Sequence, residues 1–109
     1  GNRYFIDGVQ QKTLVVKAGQ TYKFSYPSAH PFKFSTTANG THAGGNEYTS
    51  GVTVGTNEIT ITMPNSSSIT TLYYYCSAHS GMGGTIIIKD QTASSGGSGL
   101  GGGGGGSGY

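Results

Sequence analysis

The stretch Tyr75-Cys76-Ser77-Ala78-His79-Ser80-Gly81-Met82-Gly83 gathers the only cysteine of the chain, one of its three histidines and one of its two methionines, at the spacing Cys-x2-His-x2-Met. A thiolate, an imidazole and a thioether on one short loop are the donor types that a mononuclear copper ion prefers. A second imidazole, His30 in Ser28-Ala29-His30-Pro31-Phe32, is the candidate that completes a set of two histidines and one cysteine, with Met82 as a weak axial donor. Each residue also has a plain alternative: Cys76 as a small buried thiol, His30 as a hydrogen-bonded interior imidazole, His79 as an exposed loop residue, Met82 as a core plug. What favours the metal is the crowding of scarce residue types into one loop. Zinc fits less well, because it takes four N, S or O donors and thioether sulfur is a poor one. Catalysis is not expected. A nucleophilic Cys76 with His30 or His79 as base would need an orienting carboxylate, and Asp7, Glu47, Glu58 and Asp90 are remote in sequence or on polar faces.

To meet, these residues need a frame, and the frame reads as strands. Helical periodicity is absent, and short alternating runs recur between Gly, Asn and Pro. Tyr4–Ile6 is closed by the turn dipeptide Asp7-Gly8, and Lys12–Lys17 by Ala18-Gly19-Gln20. Thr21–Tyr26 sets Tyr22, Phe24 and Tyr26 on one face, and Glu58–Met63 sets Ile59, Ile61 and Met63 on one face. Val52 and Val54 suggest a further short strand, and Gly84–Lys89 ends the pattern with an Ile triplet. About eight strands predict an all-β sandwich over residues 1–92. Parity then orients the ligands, because residues two apart in a strand point the same way. A strand His30–Ser35 puts His30 on the face of Phe32 and Phe34. A strand Leu72–Cys76 puts Cys76 on the face of Leu72 and Tyr74. Both donors are therefore expected to point inward from the ends of separate strands.

The composition narrows the function classes. The chain has 109 residues, which suits one domain, and a net charge of +2 with no basic cluster, which gives no reason to expect nucleic acid. One cysteine cannot form an internal disulfide, so the redox compartment stays open. No apolar run approaches the roughly 20 residues that span a bilayer, and no signal peptide is visible. Asn39-Gly40-Thr41 and Asn65-Ser66-Ser67 match the glycosylation pattern, as chance allows in a chain rich in Ser, Thr and Gly.

The segment Tyr73–Ile86, YYYCSAHSGMGGTI, resembles the ligand loop of the cupredoxins, the plastocyanin and amicyanin family of blue copper proteins, with the short spacing of amicyanin-like members. The resemblance implies an eight-stranded Greek-key sandwich over roughly residues 2–90. It implies His30, Cys76 and His79 as equatorial copper ligands, Met82 as the axial one, and His79 as the electron exit. The chain departs from the family at Pro31, where Asn often braces the two ligand loops, and at Ala78, where Pro is usual. The wider pattern from YFIDGVQ to LYYYCSAHSGMGGTI, over residues 4–88, resembles a cupredoxin-like module that recurs in predicted structural proteins of marine bacteriophages. That likeness implies a module displayed on a virion or extracellular surface, with a periplasmic location as the second choice.

Two segments lie outside the ligand pattern. In Asn39–Tyr48, His42 and Glu47 read as solvated loop residues, with metal or receptor binding as the alternative, and Gly40, Gly44 and Gly45 as suppliers of positive φ. Residues 93–109 hold nearly half of the 21 glycines and cannot make a core, so they read as a linker-like tail. Ordering six consecutive glycines costs much entropy. Burial against copies of the same chain, or against other subunits of an assembly, is the expected source of compensation.

Overall fold

The computed structural model describes residues 2–65 and 69–90. The tail 93–109 and part of the sequon Asn65-Ser66-Ser67 lie outside the described residues. Among the described residues nine strands follow in order: β1 Phe5–Ile6, β2 Val9–Gln10, β3 Leu14–Lys17, β4 Thr21–Ser25, β5 Phe32–Ser35, β6 Val52–Gly55, β7 Glu58–Thr62, β8 Thr71–Cys76 and β9 Gly84–Lys89. The fold is all-β, as expected, with β2 and a 3-10 turn at Gly40–Ala43 beyond the elements anticipated. The β1–β2 hairpin turns at Asp7 (φ 52°) and Gly8 (φ 82°), the pair of positive φ values that matches a two-residue turn to strand twist.

Four strands form one sheet in the order β3-β9-β8-β5, with β3 parallel to β9 and the other pairs antiparallel. A three-stranded antiparallel sheet has the order β4-β7-β6. The alternation seen in the sequence decides which faces meet. Tyr22, Phe24, Ile59 and Ile61 of the smaller sheet share one buried cluster with Val16, Phe32, Phe34, Leu72, Tyr74, Ile86 and Ile88 of the larger. Phe32 joins the layers: its ring stacks on Phe24 at 4.9 Å on one side and on Tyr74 at 5.0 Å on the other. Offset aromatic pairs of this kind add to the stabilisation from area burial.

The central strand β8 is buried on both faces near its end. Leu72, Tyr74 and Cys76 point into the sandwich, while Tyr75 is covered from outside by the 3-10 turn. Gly40 permits that cover: at φ 52°, a Cβ there would lie 2.4 Å from the Tyr75 ring. The register sets Phe32 opposite Cys76, and the ladder runs on past the strand ends through Ser77 N–H to the Pro31 carbonyl at 3.1 Å. This continuation carries His30 alongside Cys76.

Buried phenols give the fold a defined alkaline limit. Tyr74 donates its hydroxyl to the Lys12 carbonyl at 2.7 Å, and burial pushes its pKa up to about 12. Burial, helped by the neighbouring Cys76, raises Tyr4 as well. An unfolded phenol ionises near pH 10, so above that pH the folded state holds more protons than the unfolded one, and stability falls as pH rises. The urea midpoint is expected to decline between about pH 10 and 12, and less steeply in Tyr74→Phe. A midpoint that holds or rises through that window would contradict the assignment.

Candidate metal centre

Cys76 ends β8 with its side chain fully buried, in the same apolar cluster as Tyr4, Phe32 and Met82. His79 stands three residues later on the loop that leads to β9, exposed at the rim. His30 does not sit in a strand, contrary to the sequence expectation. It lies in the turn before β5, with its N–H donating to the Pro27 carbonyl at 2.9 Å, and it is half-buried. Pro31 accounts for the difference: it has no N–H to donate to a ladder, so β5 begins at Phe32. The expected direction nevertheless holds, because His30 faces the thiol.

The three donors meet. Cys76 Sγ lies 3.9 Å from His30 Nδ1 and 3.6 Å from His79 Nδ1, and the ligand atoms of His30, Cys76 and His79 all fall within 4.8 Å of one another. The two imidazoles are tilted by 54° with centroids 4.8 Å apart. With metal–sulfur near 2.3 Å and metal–nitrogen near 2.0 Å, the two sulfur–nitrogen gaps of 3.6 and 3.9 Å correspond to angles of roughly 110–130°, while two nitrogens on one ion sit at most about 4.0 Å apart, so a group spread over 4.8 Å closes on an ion with a small shift of the imidazoles. That range of angles spans tetrahedral to trigonal coordination. The donor set is soft and nitrogenous, as copper or zinc requires. Met82 is fully buried in the core cluster that also holds Cys76, and its carbonyl accepts a hydrogen bond from Tyr4 N–H at 2.9 Å.

The ligand loop is braced from several sides by contacts that the sequence did not predict. Asn39, at φ 64°, donates from Nδ2 to Ser80 Oγ and accepts at Oδ1 from Gly81 N–H, both at 2.9 Å. Gln11 donates to the carbonyls of Gly83 at 2.8 Å and Gly81 at 3.2 Å. His42 is exposed, as read from the sequence, and in addition has its Nε2 2.8 Å from the Cys76 carbonyl and its ring edge-on to Tyr75. Glu47 is away from the centre and pairs with Lys33 at 3.7 Å. The turn-prone Asn39-Gly40 pair was a visible signal for the bend, but nothing in it named a partner 41 residues away.

Comparison with protein-family models, curated proteins and solved structures gives no match. The functional reading accordingly rests on the donor set, its geometry and the residue pattern.

Proposed function

We propose that the chain is a cupredoxin-like module that holds a mononuclear type 1 copper ion and transfers electrons by an outer-sphere route. One observation carries this reading: a thiol and two imidazole nitrogens come within 4.8 Å of one another from segments 46 residues apart. Copper supplies one-electron redox chemistry when bound. Cys76, His30 and His79 would hold the ion, with the buried Cys76 sulfur kept from water, and Met82 would be the fourth donor. The braces from Asn39, Gln11 and His42 limit rearrangement of the loop, and outer-shell order of this kind tunes such a centre. His79, exposed at the rim, would be the side chain through which a bound ion exchanges electrons with a partner.

The setting we propose is an extracellular or virion surface, with residues 93–109 contacting copies of the chain or other subunits. The residue pattern over 4–88 and the glycine-rich composition support it. A structural subunit that uses the same donors as a metal staple is the second reading, favoured by the ligands joining two distant segments. One preparation separates them. Addition of Cu(II) to the purified protein is expected to produce an intense visible charge-transfer band, a raised thermal transition and reversible reduction. Raised stability without reversible cycling would assign the staple. No band, with an unchanged transition, would overturn both.

A further inference from the structure

We propose that Tyr4 is the positioning residue that holds His30 against the Cys76–Met82 loop. This inference rests on the metal reading of the site. Tyr4 is fully buried just before β1, outside the four-stranded sheet whose strand ends carry the ligands. It reaches both ligand segments with two different groups. Its N–H donates to the Met82 carbonyl at 2.9 Å, and its hydroxyl donates to the His30 carbonyl. Its ring packs 5.0 Å from Phe32, the residue registered opposite Cys76, and 6.2 Å from Tyr74. Its own carbonyl accepts from Gln11 N–H at 2.7 Å, and the Gln11 side chain holds Gly81 and Gly83.

The two arms are chemically separable. The bond to Met82 comes from the backbone and survives any non-proline side chain. The bond to His30 needs the phenol. Removing it frees the turn that carries His30 while leaving the ring, the β1–β2 hairpin and the Met82 contact in place. Outer contacts of this kind typically change metal affinity 10–100-fold.

Tyr74 supplies a matched control. It is equally buried, and its hydroxyl also makes one bond to a carbonyl, at Lys12 rather than at a ligand segment. The test compares Cu(II) dissociation constants, charge-transfer spectra and thermal transitions of the full chain and its Tyr4→Phe and Tyr74→Phe variants. Tyr4→Phe is expected to weaken Cu(II) binding by about 10–100-fold and to shift the charge-transfer band. Tyr74→Phe is expected to lower the thermal transition comparably with affinity and band unchanged. Equal affinity and spectrum in Tyr4→Phe and the unaltered chain would overturn the proposal, as would equal weakening in both variants. Failure of the unaltered chain to bind Cu(II) would instead remove the metal reading, and this inference with it. If Tyr4→Phe does not fold, site-specific 3-fluorotyrosine at position 4 alters the strength of the hydroxyl bond and keeps the ring. An affinity and band that do not move with it would again overturn the proposal.

Discussion

Cys76→Ser is expected to abolish the visible charge-transfer band of the copper-loaded protein and to weaken Cu(II) binding by at least about a thousandfold, roughly 4 kcal/mol. The thiolate is the softest donor of the set and the one that gives the band its intensity. A serine hydroxyl stays protonated at neutral pH and offers a hard oxygen. The fold should survive the change. Burying a hydroxyl costs about 1–3 kcal/mol, in a domain whose total stability is expected to be about 5–15 kcal/mol. Two imidazole nitrogens at 3.6 and 3.9 Å are near enough to engage it after small shifts. Loss of the band with a circular dichroism spectrum still rich in strand is the expected pair of results. A band that persists in the serine variant would remove Cys76 from the ligand set.

Gly83→Ala should be the most damaging single methyl in the ligand loop. A Cβ at Gly83 would lie 1.7 Å from the Tyr74 carbonyl oxygen, 2.6 Å from its carbon and 2.8 Å from Tyr75 Cα. All three atoms are backbone of β8, which is hydrogen-bonded on both sides by β5 and β9 and has no room to retreat. Relief would have to come from displacing the start of β9 and the Met82 segment with it. The expected loss exceeds about 3 kcal/mol, at the upper end for overpacking, with metal binding weakened in parallel. Gly81→Ala is the contrast. At φ 82° an alanine is strained, yet its Cβ would meet nothing within 4 Å, so the cost should stay near the roughly 1–2 kcal/mol of a left-handed residue. Urea unfolding of the two variants measures the difference, and equal losses would show that β8 yields more easily than its two-sided pairing implies.

How much of this was legible in the sequence depends on whether the signal was local. The period-two runs around Tyr22 and Phe24, and around Ile59 and Ile61, place the inner faces of the smaller sheet correctly, because strand direction alone fixes them. Leu72 and Tyr74 give the direction of Cys76 for the same reason. Asp7-Gly8 marks its turn through the positive φ that both residues adopt. His30 points as strand parity predicts, but β5 begins two residues later, because Pro31 has no N–H to return the bond that its carbonyl accepts from Ser77. The braces were not legible. Tyr4 on His30, Asn39 on Ser80 and His42 on Cys76 join residues 26, 41 and 34 apart, and single hydrogen bonds across such separations leave no periodic trace. His42 in particular sits among glycines in a polar loop, where composition points to solvent.

The most direct test of the metal centre is X-ray absorption at the copper edge of the copper-loaded protein. One sulfur scatterer at about 2.3 Å or less and two imidazole nitrogens near 2.0 Å are expected, with the sulfur shell lost in Cys76→Ser. A shell made only of oxygen and nitrogen, unchanged by that substitution, would show that copper binds elsewhere and that His30, Cys76 and His79 do not form the site.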